Sequence, residues 1–388
     1  MVADPNISGS FCFGNASRFR IILYWTILAP SSRAAGDILT ALRMKSVDLV
    51  ARGVLEVREQ PMPPDPGPGE VLVRLRAIGV CGSDLHWYLD GGIGRHLARY
   101  PMVLGHEPVG EVVAVGSGVT THCTGERVAI EPSVTCGHCE YCLNGRPNNC
   151  PSCIFMGSPE SPGFFREYAV VPARNAEHFP DSLSWLEGTL IEPVAVLMHV
   201  MELAPIRVGD TVAVLGAGPI GLLAVTVARM AGATTVMAAE KVAHRLRMAG
   251  QCGAGVLIDA SSQDIADSIL QATGGRGADI VFDAAGTEET VNAGIRATRP
   301  GGRFVLIGIP SEKQLVLDIH TAMANEVGIT TIKRSNHRGR EAMALLAAGR
   351  IPTDIITHCL PLERTPEAFQ LLAGYRDNVG KLVIEAPQ

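Results

Sequence analysis

The cysteines at 136, 139, 142 and 150 lie within sixteen residues, TCGHCEYCLNGRPNNC, at the spacing C-x2-C-x2-C-x7-C. Four thiolates so arranged suit a closed tetrahedral zinc site, with every position filled by protein and none left for chemistry. Iron–sulfur clusters use other spacings, and a redox pair needs one CxxC and leaves two thiols unexplained. A disulfide framework belongs to short secreted chains that lack core, whereas this chain has 388 residues. Cys153 is left over and reads as a plain buried thiol. A second set is dispersed: Cys81 in GVCGSDLH, His106 and Glu107 in LGHE, and Glu192 in LIEP. A thiolate, an imidazole and one carboxylate supply three ligands and leave a fourth position for water or substrate, the pattern of a catalytic zinc. Singly, each has a plainer reading as a buried cysteine, a hydrogen-bonded core histidine or a solvated carboxylate. Together they read as a site, and the spacing leaves open which carboxylate is the ligand.

Further along, VAVLGAGPIGLLAV holds Gly216, Gly218 and Gly221 in the spacing GxGxxG, after an apolar strand and ahead of an apolar helix. Gly216 would permit the tight turn, Gly218 the close approach of a pyrophosphate, and Gly221 the packing of helix on strand. Pro219 and Ile220 complete that turn, and the anion would sit on the free N–H groups of the helix N-terminus. Glu240 ends the strand TTVMAAE nineteen residues after Gly221, where a carboxylate accepts from both ribose hydroxyls and repels a 2′-phosphate. NAD is therefore expected over NADP, although Lys241, His244 and Arg245 partly offset the repulsion. Arg245, Lys333 and the strand end Ile307, Gly308 and Ile309 join the turn as candidate cofactor contacts. The alternative is a glycine-rich turn that holds no ligand.

These residues need elements to position them. From Val54 to Pro132 short aliphatic runs alternate with Gly and Pro, which predicts a small, mostly β domain. After residue 205, runs such as DTVAVLGAG and ADIVFDAAG alternate with helical stretches such as PIGLLAVTVARMAG. That alternation predicts an α/β fold with a Rossmann-type, doubly wound parallel sheet. The expected organisation is a catalytic domain over 44–195, a dinucleotide domain over 196–335 and a tail over 336–388 that packs back on the first. Residues 1–43 read differently: FRIILYWTILAP has the outline of a signal peptide, but an extension ahead of a natural start at Met44 is favoured. Hydrophobic residues make up 47% and charged residues 19%, so core material is ample. A net charge of −6 and no basic run argue against nucleic acid and against a nucleic-acid-binding finger. No apolar run approaches the roughly 20 residues of a membrane span.

The order VCGSDLH, GHE, the four-cysteine lobe, LIEP and GAGPIG resembles the zinc-dependent medium-chain alcohol dehydrogenases, and within them the polyol branch. The resemblance runs from about Met44 to the C-terminus. It implies a GroES-like catalytic domain, two zinc ions per chain, NAD, a small polyol or alcohol substrate, a cytoplasmic location and a homo-oligomer. It places the catalytic zinc on Cys81, His106 and Glu107, with Glu192 beside it against water or substrate. Asp84 would orient a ligand, Ser83 and His86 would relay a proton, and Trp87, Glu192, Lys333 and Arg334 would meet substrate. The implied reaction oxidises a secondary hydroxyl to a ketone with hydride transfer to the nicotinamide. Two departures bear on substrate: Trp87 stands where animal members of the branch carry Tyr, and Lys333 and Arg334 stand for an Arg-Tyr pair. Two aromatic hydroxyls are thus missing. An acidic or phosphorylated sugar would suit the two cations, while cofactor contact or solvated charge is their plainer reading. The alternatives are a threonine-type or sugar-acid (idonate-like) dehydrogenase and, from another class, a non-catalytic NAD- or zinc-binding protein. A binding module has no need of an open metal position.

Overall fold

The computed structural model describes residues 43–387, so the extension expected over 1–43 lies almost wholly outside the described residues. Strands β1 (Arg43–Ala51) and β2 (Val54–Pro61) pair antiparallel, Val47 opposite Val57. The next strand, β3 (Glu70–Gly79), is the axis of a mixed sheet. Its sequence EVLVRLRAIG buries both faces over much of its length, as suits a central strand. Helix α1 (Gly82–Leu89) follows it directly. Four more strands of that sheet are β4 (Glu107–Val115), β5 (Arg127–Ile130), β6 (Tyr168–Pro172) and β7 (Ala176–His178).

Helix α2 (Ile191–Leu203) leads into a second sheet of strict alternation. Its elements are β8 (Thr211–Leu215), α3 (Pro219–Met230), β9 (Thr235–Glu240), α4 (Ala243–Gln251), β10 (Val256–Asp259) and α5 (Ile265–Ala272). Then come β11 (Ala278–Asp283), α6 (Glu288–Ala297), β12 (Thr298–Leu306) and β13 (Gly328–Thr331). All pairings are parallel, in the order β10-β9-β8-β11-β12-β13. This is the doubly wound order whose switch point lies between β8 and β11, where a ligand crevice forms.

The chain then forms α7 (Gly339–Ala347), β14 (Ile356–Pro361), α8 (Thr365–Ala373) and β15 (Lys381–Glu385). Strand β15 pairs antiparallel with β3, Val383 opposite Gly79, so the last strand lies behind the turn that carries Cys81. The mixed sheet runs β7-β5-β4-β3-β15-β14, with β6 also on β3. One core cluster joins Ala77 and Val109 of this sheet to Val214 and Phe282 of the parallel one and to Leu222 of α3. Burial of that apolar surface holds the elements bearing the site in fixed relation.

Candidate metal centre and cofactor cleft

Cys81 caps the N-terminus of α1 in extended conformation (φ −99°, ψ 156°). Its amide donates to Asp84 Oδ2 at 3.0 Å, closing the first turn. Asp84 is fully buried; its Oδ1 accepts from the Gly105 amide at 3.1 Å and lies 3.3 Å from His106 Nδ1. An ionised carboxylate tolerates such burial only with partners of this kind. Holding Nδ1 fixes the ring and leaves Nε2 for another role, the arrangement usual around a metal-bound imidazole. Burial opposes charging of His106, but Asp84 and Cys81 raise its pKa well above the ordinary value.

The Cys81 thiol, a ring nitrogen of His106 and a carboxylate oxygen of Glu107 all lie within 4.8 Å of one another. Glu107 is buried, and its Oε1 has no hydrogen-bond partner among the described residues. Its Oε2 pairs with Lys381 Nζ, which is also buried and donates to the Val80 carbonyl at 3.0 Å. A Cβ on Gly79 would overlap Glu107 Oε2, so that position must stay small. Lys381 went unnoticed in the sequence; the signal was a lysine opening an otherwise apolar strand, KLVIE.

Glu192, in the first turn of α2, falls outside this three-residue cluster. It lines a cavity with Glu107, Glu131 and Glu177. Burial pushes its carboxyl up to about 8; His106 opposes this, while Glu107 and Glu131 add to it. Ser83 Oγ is 3.2 Å from His106 Nε2, at the metal-binding side. His86 Nδ1 holds Asp90 Oδ2 at 2.8 Å, and among the described residues no hydrogen bond joins it to Ser83. Trp87 differs from expectation. It is 6% exposed and belongs to the core of the catalytic sheet, which leaves little of its ring for a substrate. Lys333 is exposed, whereas Arg334 is half-buried and donates to Cys153 Sγ at 3.0 Å. Cys153 is thus engaged by a charge rather than plainly buried.

The sulfurs of Cys136, Cys139, Cys142 and Cys150 also lie within 4.8 Å of one another, and all four cysteines are free of disulfides. Gly137 (φ 76°) supplies the left-handed turn that lets the chain curl around them. The His138 amide, with help from that of Cys139, brings the Cys136 thiol down to about 6, against burial. Such a thiol is poised to bind a cation as thiolate.

In the parallel sheet, Gly216 takes φ 87°, and a Cβ on Gly221 would overlap the Gly216 carbonyl. Gly218 caps α3 without a side-chain hydrogen bond, and Pro219 opens the helix ahead of Ile220. First-turn N–H groups are therefore available to an anion. Glu240 accepts from Ala217 N at 2.7 Å and Val242 N at 2.8 Å, which fixes its carboxylate beside the turn. Arg245 stacks on Tyr375, 4.6 Å from the ring centre, with Nη1 4.0 Å from where a Gly218 Cβ would stand. Ile307 and Gly308 donate to the Asp283 carbonyl at 2.8 and 2.9 Å, and Ile309 beyond them is partly exposed.

Residues 67–181 match the family profile described as "Alcohol dehydrogenase GroES-like domain", and residues 219–348 match "Zinc-binding dehydrogenase". Sorbitol dehydrogenase of Bacillus subtilis is 35% identical over 337 residues, which is 86% of this chain and 96% of that protein. Sorbitol dehydrogenase of Macaca fascicularis is 37% identical over 335 residues, 85% of this chain and 93% of the relative. This chain belongs to the zinc-dependent medium-chain alcohol dehydrogenases, in their polyol branch. Among solved structures, L-idonate 5-dehydrogenase from Escherichia coli superposes on this dehydrogenase with TM-score 0.80 at 28% identity, over 89% of this chain and 98% of that one. The donors fit the group that the family implies. Sulfur, imidazole and carboxylate suit zinc, and the buried, partnerless Glu107 Oε1 is the kind of atom a cation satisfies. The glycine cradle likewise fits the pyrophosphate of a nicotinamide dinucleotide.

Proposed function

We propose that this dehydrogenase oxidises a secondary hydroxyl of a polyol to the ketose, with NAD as hydride acceptor. In this reading Cys81, His106 and Glu107 hold a catalytic zinc, and Cys136, Cys139, Cys142 and Cys150 hold a structural one. A balanced turnover takes the hydroxyl carbon's hydride to NAD and releases the hydroxyl proton. Bound zinc supplies Lewis acidity that eases loss of that proton, and the nicotinamide takes the electron pair. Ser83 Oγ, beside His106 Nε2, would receive the proton, and half-exposed His86 on the same helix would hand it to solvent. Glu192, which lines a cavity with Glu107, would face substrate, and Asp84 would keep His106 in register. NAD is favoured by Glu240, whose carboxylate beside the turn repels a 2′-phosphate; Arg245 tempers that preference.

The observation that carries this reading is the three-donor cluster with a hydroxyl beside it. Its test is Cys81→Ser. We expect turnover of polyols to fall at least about a thousandfold, since one ligand fewer disables the metal site. NADH binding, followed by fluorescence, should persist. Retained turnover would remove Cys81 from the mechanism.

A further inference from the structure

Among the described residues three arginines stack on aromatic rings. Arg127 lies 4.1 Å over Trp185 and 4.4 Å over Phe179, and it has Asp181 as a counter-charge at 3.6 Å. Among the described residues, Arg245 and Arg334 have no carboxylate in ion-pair contact. Arg245 sits beside the glycine turn, where the cofactor's phosphates supply the anion. Arg334 has no such explanation. Arg334 is half-buried, stacked on a ring and, among the described residues, without an acid in ion-pair contact, which leaves its fork of donors open to an anion from outside.

Where Arg334 sits makes that anion the substrate's. Its guanidinium carbon is 4.3 Å from the centre of the Phe155 ring, and that ring lies 5.2 Å from the ring of His106. The charge thus stands one aromatic ring away from a proposed metal ligand, a separation that a chain of several carbons spans. Among the described residues its one side-chain hydrogen-bond partner is the Cys153 thiol, at 3.0 Å. That contact takes one of five N–H donors and leaves the others for an acceptor from outside.

The backbone around it is fixed rather than adaptable. On one side, the Lys333 carbonyl accepts from Asn148 Nδ2 at 2.9 Å. On the other, Ser335 Oγ donates to Glu131 Oε2 at 3.0 Å and Asn336 Nδ2 to the Gly145 carbonyl at 3.2 Å. Arg334, Asn336 and His337 all take left-handed φ, at 60°, 50° and 57°. Non-glycine residues keep that conformation only where their surroundings impose it, and such places concentrate at ligand clamps. Preorganisation of this kind lowers the entropy lost on binding.

We propose that Arg334 receives a carboxylate or phosphate at the end of the substrate remote from the reacting carbon, so that the preferred substrates are acidic or phosphorylated sugar alcohols. This rests on the dehydrogenase reading above and narrows its substrate class.

The test compares kcat/KM of the zinc-loaded enzyme with NAD over three arms: neutral pentitols and hexitols, aldonates, and polyol phosphates. We expect at least one acidic arm to exceed its neutral counterpart by roughly 10- to 100-fold, the range of one charge-assisted hydrogen bond, and mainly through KM. The arm that responds identifies the anion. Arg334→Gln and Arg334→Lys should separate, the first bringing the acid-to-neutral ratio near unity and the second keeping part of it, with NADH affinity reporting that each is folded. Should neutral polyols match or exceed both acidic arms in the unmodified enzyme, the inference fails while the dehydrogenase reading stands. A preference for acids that survives Arg334→Gln also overturns it. Failure to turn over any hydroxylated compound overturns both.

Discussion

Lys381 and Glu107 form a fully buried ion pair on which the candidate metal site leans. Desolvating two charges is costly, and removing one partner strands the other at about 3–5 kcal/mol. Two effects compete in Lys381→Met. Loss of a nearby positive charge favours a cation, while loss of the contact that aims Glu107 disfavours it. Orientation should win, because outer partners of metal ligands typically govern about 10- to 100-fold of affinity. We therefore expect Lys381→Met to weaken zinc retention by that factor in a chelator competition, with thermal stability also reduced. Unchanged retention would leave Lys381 a purely structural residue. The candidate ligands could be picked out of the sequence because few residue types bind zinc and their motifs are tight. Lys381 could not be: it lies 274 positions from Glu107, and only the pairing of β15 with β3 brings them together. Trp87 is placed by a local pattern. It shares the buried face of α1 with Asp84 and Tyr88, a helical spacing that points it to the core.

Among the elements, the β8–α3–β9 unit is where the proposed cofactor preference would reside. Glu240 closes β9 and is gripped by the amides of Ala217 and Val242, so its carboxylate cannot swing away from a bulky ribose substituent. Glu240→Ala removes the repulsion and leaves Arg245 beside the turn to attract a phosphate. We expect the kcat/KM ratio of NAD to NADP to fall by about tenfold or more, and an unmoved ratio would detach Glu240 from cofactor choice. This unit was readable in advance because its strands are short apolar runs, each followed at once by a helix. The mixed sheet was readable only as strand-rich. Its order β7-β5-β4-β3-β15-β14 depends on partners far apart in the chain, and register shifts at Leu72/Val73 and Leu75/Ala77 break simple alternation along β3.

At the scale of the whole molecule, the four-cysteine lobe touches more than its own loop. Asn148, between Cys142 and Cys150, reaches the Lys333 carbonyl and lies 3.3 Å from His199 of α2, while the Gly145 carbonyl holds Asn336. The lobe thus fastens the segment that leaves the parallel sheet after β13 to a helix that also carries Glu192. A metal bound by four thiolates contributes folding free energy directly, because the unfolded chain offers no such cage. Cys139→Ser should therefore lower Tm by on the order of 5 °C or more, as a loss of a few kcal/mol implies for a chain of this size. Metal analysis should find one zinc per chain in that variant and in Cys81→Ser, against two in the unmodified protein. The two variants should part in activity: Cys81→Ser stops the chemistry, whereas Cys139→Ser retains turnover of neutral polyols at temperatures below its new transition. Because the lobe anchors the residues on either side of Arg334, the same Cys139→Ser protein should also lose much of any preference for acidic substrates. Normal stability with two zinc ions retained would show that these thiolates form no structural centre.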